Sequence, residues 1–128
     1  MEPLLIDTSV WIDFFNGEET TPVQTLSYYL KNDGPLFVCP TIIQEVLQGI
    51  NSDKHYALVK DYLLNLNVLN NDALQAAIGA AELYRKLRKN GITIRKSNDC
   101  LIAYFAYLNG LNVLHQDRDF DLIKEGWS

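Results

Sequence analysis

The sequence predicts an α/β fold in which a short, mostly parallel sheet is covered by helices. Apolar runs at residues 4–6 and 36–39 have the length and composition of buried strands, and shorter runs follow at 67–69 and 112–114. Between these runs, apolar residues recur at helical spacing. Strands that alternate with helices favour parallel pairing. We therefore expect a functional site at the carboxyl edge of this sheet.

Two helices are predicted between the first two strands. The first covers residues 9–16, places Trp11 in the core and ends at Gly17, which suits a C-cap. The second takes Thr21 as its N-cap and Gln24 as the closing member of a capping box, and it ends at the turn formed by residues 33–35.

Three helices are predicted around the third strand. Thr41 and Gln44 repeat the capping pattern for a helix that runs to residue 50, and a helix over residues 52–66 follows it. After the strand, Asp72 caps a long helix over residues 73–90 that Gly91 ends. We expect the small residues of this long helix to pack closely on its neighbours; they are Ala73, Ala76, Ala77, Ala80 and Ala81.

The most apolar helix is predicted over residues 97–108. From Cys100 onward it is apolar or aromatic nearly all round, which is typical of a central, buried helix. Asp99 lies in its first turn, where an acid usually favours the helix dipole or serves as a cap. The last strand, 112–114, ends in the acid-rich segment 115–120, much as the first strand ends at Asp7.

The composition indicates one globular domain over residues 1–128. A chain of 128 residues with 48% hydrophobic and 21% charged residues can bury a core without disulfides or a structural metal. Cys39 and Cys100 lie in apolar surroundings and are expected to be buried free thiols, which suits the cytoplasm. We expect no signal peptide, because the N-terminus is acidic, and no membrane span, because no apolar stretch approaches about 20 residues.

The net charge of −5 argues against a nucleic-acid partner, but the distribution of the charges does not. Six of the eleven basic residues lie within twelve positions that contain no acid, which leaves the rest of the chain at −11. These six are Arg85, Lys86, Arg88, Lys89, Arg95 and Lys96. Such a run can contact phosphates. Cations at the end of a helix also favour its dipole, and the sequence leaves both interpretations open.

Four acids are expected to converge at the carboxyl edge of the sheet. They are Asp7, Glu45, Asp99 and Asp117. For Asp7 a turn or cap role is an alternative, and Glu45 lies at the margin of an apolar helix face where it could simply be solvated. Carboxylates that converge without matching bases repel one another, and a divalent cation relieves this repulsion. Oxygen ligands favour Mg²⁺ or Mn²⁺, which can assist the attack of water on a phosphodiester.

Four segments resemble, in order, the motifs of PIN-domain ribonucleases of the VapC toxin type. They are residues 7–12 (DTSVWI), 40–49 (PTIIQEVLQG), 98–103 (NDCLIA) and 115–120 (HQDRDF). Each motif alone is weak, but the four together are specific and span almost the whole chain. The resemblance implies a three-layer α/β/α sandwich and a Mg²⁺- or Mn²⁺-dependent endoribonuclease. It also implies a homodimer and a co-transcribed antitoxin protein that holds the toxin inactive.

The resemblance also assigns roles to individual residues. The acids that match the family's catalytic and metal-binding quartet are Asp7, Glu45, Asp99 and Asp117. Asp119 is an alternative or additional acid, because the sequence alone cannot assign both members of an Asp-x-Asp pair. Thr8 and Ser9 are candidates to bind a carboxylate or a ligand water, although a helix cap explains them equally well. His115 is a candidate RNA contact, and the basic run over residues 85–96 is the candidate phosphate-binding surface.

Three other protein classes compete with this interpretation. A phosphoacceptor receiver module would need an acidic pair after the first strand, where Asp7 is followed by Thr8 and Ser9. A phosphatase of the haloacid dehalogenase type would need Asp-x-Asp there, and Ser9 occupies the second position. A non-catalytic interaction module, with the acids as solvated caps, stays open at this stage, and a metal titration distinguishes it from an enzyme.

Overall fold

The computed structural model describes residues 1–127. In chain order they form β1 (Leu4–Ile6), α1 (Thr8–Phe15), α2 (Thr21–Lys31), β2 (Leu36–Val38), α3 (Pro40–Gln48), α4 (Asp53–Leu64), β3 (Asn67–Val68), α5 (Ala73–Lys89), α6 (Ser97–Leu108), β4 (Asn112–Leu114) and α7 (Arg118–Gly126). The predicted strands and helices are all present. Helix α7 was not predicted, although Phe120 and Ile123, which it buries, recur at helical spacing.

The four strands of the described chain form one parallel sheet in the order β3-β2-β1-β4. Leu5 of β1 lies opposite Phe37 of β2 on one side and Val113 of β4 on the other. Helix α1 contacts α2 and α3, α3 contacts α4, and α6 contacts both α5 and α7. The two groups of helices form the outer layers of an α/β/α sandwich, which confirms the predicted fold class.

The core lies around β1, whose three residues are all buried. Trp11 of α1, Leu26 of α2 and Ile42 of α3 are completely buried beside it, and Ile102 of α6 is completely buried as well. Burial of a large apolar side chain contributes about 1.5–3 kcal/mol relative to its exposure. The helices are thus held at fixed positions relative to the carboxyl edge of the sheet.

Two predicted helix caps were wrong by one or two positions. The N-cap of α2 is Thr20, not Thr21, and its hydroxyl accepts a hydrogen bond from a backbone N–H three residues on. Helix α3 begins at Pro40, and its N-cap, Cys39, makes no capping hydrogen bond through its side chain. Thr41 therefore lies inside the helix. Proline suits the first helical position because its φ is already helical and its missing N–H has no helical partner there.

The packing face of α5 also differs from the predicted one. Its buried residues are Ala76, Gly79, Ala80, Leu83 and Leu87, whereas Ala73, Ala77 and Ala81 are exposed. Gly79 permits the closest approach, because a Cβ there would lie 2.1 Å from Cζ of Tyr104. The stripe that contains leucines and a glycine faces α6, since these residues bury more apolar area or allow closer contact than alanine.

Both cysteines, Cys39 and Cys100, are buried free thiols, as the sequence predicted. Within residues 1–127, every helix is too short or too polar to cross a membrane.

Candidate metal centre and active site

In the sheet, β2 and β3 lie on one side of β1 and β4 lies on the other. The strand order therefore reverses between β1 and β4, which makes the carboxyl ends of these two strands a topological switch point. Asp7 follows β1, Asp117 follows β4, and each is the N-cap of the next helix. Asp7 Oδ2 accepts hydrogen bonds from Ser9 Oγ at 2.6 Å and from Ser9 N at 3.3 Å. Asp117 Oδ1 accepts one from Asp119 N at 2.9 Å. Asp7 is thus a cap and also a carboxylate at the expected edge.

Glu45 approaches the same edge from α3. Thr8 Oγ1 donates a hydrogen bond to Glu45 Oε1 at 2.7 Å, and Asn98 Nδ2 donates one to Oε2 at 3.3 Å. Because Thr8 adjoins Asp7 and Asn98 adjoins Asp99, these contacts bring Glu45 to the other acids. The side chain is half-buried, so it is not simply a solvated residue at the flank of its helix. Asn98 was missed as a site residue; its only sequence signal is its position before the acid of α6.

The closest group of acids consists of Asp99, Asp117 and Asp119. One carboxylate oxygen of each lies within 4.8 Å of the others. Asp99 is 5% exposed and Asp119 only 2% exposed. The Oδ2 atoms of both are buried and have no hydrogen-bond partner among the described residues. Buried carboxylate oxygens without a donor are unfavourable, so this pair requires a ligand or a proton.

The pKa values of two acids record this crowding. Burial raises the pKa of Asp7 despite the hydrogen bonds from Ser9. Burial, followed by the charges of Asp7, Asp117 and Asp119, raises the pKa of Asp99 to about 7. Neighbouring carboxylates disfavour each other's charged form, and the pKa of Asp99 shows this effect most strongly.

Two cations of the predicted basic run contact the centre. Lys96 Nζ lies 3.4 Å from Asp117 Oδ2, and Arg95 Nη2 lies 3.8 Å from Oδ1. The hydrogen bond from the backbone of Asp119, followed by these two cations, holds the pKa of Asp117 below its ordinary value. Both cations are largely exposed, so they are placed to reach a phosphate beside the acids.

The other four residues of the basic run lie elsewhere, on the last turns of α5. Arg85, Lys86, Arg88 and Lys89 are exposed there. Lys86 Nζ donates a hydrogen bond to the carbonyl of Trp127 at 2.7 Å. The run that is continuous in sequence therefore forms two separate groups in the fold.

His115, the candidate RNA contact, faces a groove along β4 and not the candidate metal-binding acids. Its Nε2 is 3.5 Å from the exposed carboxylate of Asp121, and its ring packs on Phe120 with 5.0 Å between centroids. Its Nδ1 is buried without a partner among the described residues. The ring lines a groove of about 540 Å³ along β4 rather than the acidic centre.

The donor set fits a hard divalent cation. Asp99 and Asp119 offer unpaired oxygens, Asp117 is close to both, and all the ligand atoms are carboxylate oxygens. Asp7 and Glu45 complete an acidic group whose members are oriented by Ser9, Thr8 and Asn98. Such a group can bind an ion that contacts a phosphate and a water at the same time.

Comparisons with known proteins agree with this geometry. The sequence matches the PIN domain family model over residues 4–126. It is 33% identical over 121 residues to a VapC ribonuclease of Mycobacterium bovis and to ribonuclease VapC11 of Mycobacterium tuberculosis, which covers 94% of this chain and 90% of each relative.

Solved structures share the fold at lower sequence identity. VapBC2 from Rickettsia felis, bound to a promoter DNA fragment, has a TM-score of 0.71 at 18% identity, with 90% of this chain and 87% of that chain covered. FitAcB from Neisseria gonorrhoeae has a TM-score of 0.68 at 16% identity, with coverage of 94% and 93%. The match to the family model and the 33% identity to the mycobacterial relatives, together with an acidic centre at the switch point, show that the chain belongs to the PIN domain family.

Proposed function

We propose that this protein is a metal-dependent endoribonuclease and the toxin of a toxin–antitoxin pair. The observation that carries the proposal is the pair of buried, unpaired oxygens, Asp99 Oδ2 and Asp119 Oδ2, within a group of acids at the sheet edge. The curated relatives are named ribonucleases, and they align with nearly the whole chain.

We assign Mg²⁺ or Mn²⁺ to Asp99, Asp117 and Asp119, with Asp7 and Glu45 as further ligands or as ligands of bound water. A bound ion of this kind would polarise the phosphodiester and lower the pKa of a coordinated water so that hydroxide forms near neutral pH. Repulsion among the carboxylates supports this assignment, because the charges of neighbouring acids help to raise the pKa of Asp99 to about 7.

The remaining residues of the centre orient the acids and balance their charge. Ser9 fixes the rotamer of Asp7, and Thr8 fixes that of Glu45 through a hydrogen bond of 2.7 Å. Partners of this kind typically change metal affinity or activity 10- to 100-fold when they are removed. Arg95 and Lys96 are the candidate contacts to the phosphates that flank the scissile bond.

The toxin assignment extends to partners. Structural neighbours include the VapBC complexes of Rickettsia felis and Salmonella typhimurium. We propose an antitoxin protein as the partner of this chain, a homodimer as its assembly and the cytoplasm as its location, with the whole of residues 1–128 acting as one domain.

The decisive experiment measures cleavage of RNA by the purified protein with Mg²⁺, Mn²⁺ or EDTA. Asp7→Asn and Asp99→Asn are expected to abolish cleavage and to retain the fold by circular dichroism. Asp61→Asn, the same change at an exposed position of α4, is the matched control and should cleave at the wild-type rate. Cleavage by Asp99→Asn at the wild-type rate would show that the site is assigned wrongly.

A cellular experiment tests the toxin role separately. Brief induction without a partner protein should arrest growth and create new RNA ends, and the Asp7→Asn variant should do neither. Harmless overexpression of an enzyme that is active in vitro would contradict the toxin role while leaving the nuclease assignment in place. If calorimetry detects no binding of Mn²⁺, the non-catalytic interaction module is the better description.

A further inference from the structure

Three aromatic side chains form a patch where α6 meets the end of α7. Tyr104 and Tyr107 lie on α6, and Trp127 follows α7. The Tyr107 and Trp127 ring centroids are 4.9 Å apart, and the Tyr104 and Trp127 rings stack with centroids 6.1 Å apart and an angle of 22°. We call these three residues the aromatic patch. Tyr107 is 64% exposed, so the patch presents a ring to solvent.

Two lysines, Lys86 and Lys124, lie beside the aromatic patch in a chain whose net charge is −5. Lys86 of α5 donates a hydrogen bond to the Trp127 carbonyl at 2.7 Å, and Lys124 is exposed on α7. Three exposed acids, Glu82, Asp121 and Glu125, lie on the same two helices.

Helix α6 connects the aromatic patch to the acidic centre. Asp99 is in its first turn and Tyr107 lies eight residues later, which corresponds to about 12 Å along the helix axis. Nucleotides in a stacked strand rise about 3.4 Å each. A single strand cut at the acidic centre would therefore reach the patch with roughly three or four nucleotides.

We propose that the aromatic patch binds bases of the single-stranded RNA on one side of the scissile bond, and this inference rests on the proposed ribonuclease function. Aromatic rings beside cations are the usual surface for single strands, because every base has a π-face and the cations neutralise its phosphates.

Tryptophan fluorescence provides a direct test. The chain has two tryptophans, and Trp11 is completely buried, so quenching by a stacked base reports on Trp127. A mixed-sequence 12-nucleotide RNA is titrated into the protein in EDTA, which prevents cleavage. We expect saturable quenching in the wild type and its loss in Trp127→Phe. Tyr107→Ala should bind this RNA roughly 5- to 150-fold more weakly, the range for one stacked base.

Tyr28→Ala is the matched control, because Tyr28 is 59% exposed on α2, and it should bind as the wild type does. Equal affinities of Tyr107→Ala and the wild type would overturn the proposal, as would RNA binding without quenching. A change of sedimentation mass in Tyr107→Ala with unchanged RNA affinity would show instead that the patch joins two copies of the chain. RNA binding is measured without cleavage. Quenching by a protein that cleaves no RNA would therefore contradict the proposed ribonuclease function and leave the RNA-binding role of the aromatic patch in place.

Discussion

Replacement of Asp99 by asparagine should stabilise the metal-free protein at alkaline pH. Burial and the charges of neighbouring acids raise the pKa of Asp99 from 3.8 to about 7. The folded state therefore binds this proton more tightly than the unfolded state does. Because of this difference, the carboxyl lowers the free energy of unfolding progressively as the pH rises from about 4 to 7. An asparagine side chain at this position carries no charge at any of these pH values.

The size of the effect follows from the pKa. A rise from 3.8 to about 7 corresponds to about 4 kcal/mol of unfolding free energy at pH 8. The pKa of about 7 already includes the attraction of Lys96. A buried asparagine amide without a partner costs about 1–3 kcal/mol, so we expect a net gain of about 1–3 kcal/mol. For a chain of 128 residues this raises Tm by roughly 4–12 °C. At pH 4.5 the two proteins should differ by about 1 kcal/mol or less.

Thermal unfolding in EDTA at pH 4.5 and pH 8 measures this difference, with Asp61→Asn as an exposed control that shifts Tm at neither pH. Mn²⁺ at 100 times its Kd should then stabilise the wild type by about 2.7 kcal/mol and the Asp99→Asn variant much less. The difference in Tm between the two proteins at pH 8 should therefore become smaller. A Tm of Asp99→Asn below that of the wild type at pH 8 in EDTA would refute this prediction. An equal difference in Tm between the two proteins at pH 4.5 and pH 8 would also refute it.

Three further substitutions test the supports of the centre. Thr8→Val removes the hydroxyl that holds Glu45 and keeps its shape; it should lower cleavage roughly tenfold at unchanged Tm, and wild-type activity would contradict this. Asp119→Asn should lower Mn²⁺ affinity in calorimetry more than Asp117→Asn, because of these two only Asp119 has a buried unpaired oxygen; the reverse order would exclude this ranking. Gly79→Ala should lower the free energy of unfolding in urea by about 1–2 kcal/mol, since its Cβ would meet a tyrosine ring of α6, whereas a neutral effect would mean that the ring moves freely.

The strands and the acids that follow β1 and β4 could be predicted because both depend on local patterns. A strand such as β1 is a continuous apolar run that ends at an acid, and this pattern requires no knowledge of distant residues. The convergence of Asp7 and Asp117 followed from parallel pairing, because carboxyl ends of parallel strands share one edge. Family resemblance supplied Glu45, which local patterns alone left open as a solvated residue.

The features that sequence could not predict depend on long-range contacts. The basic run looked continuous, but the turn between α5 and α6 sends Lys96 to Asp117 and leaves Lys86 at Trp127. The hydrogen bond from Asn98 to Glu45 joins residues 53 positions apart, which no spacing rule anticipates. The packing face of α5 was wrong because small residues occur all around that helix and only contact with Tyr104 selects one side.

The acids of this centre differ in how far the protein itself stabilises their charge. Asp7 and Asp117 each cap a helix, so backbone N–H groups and the helix dipole stabilise their charge in the folded state. Glu45 is held by the side chains of α1 and α6. Asp99 and Asp119 each retain one buried oxygen that no donor of the described chain reaches. The free energy that a bound cation contributes to folding should therefore arise mainly at these two residues, and their substitution should uncouple stability from metal concentration.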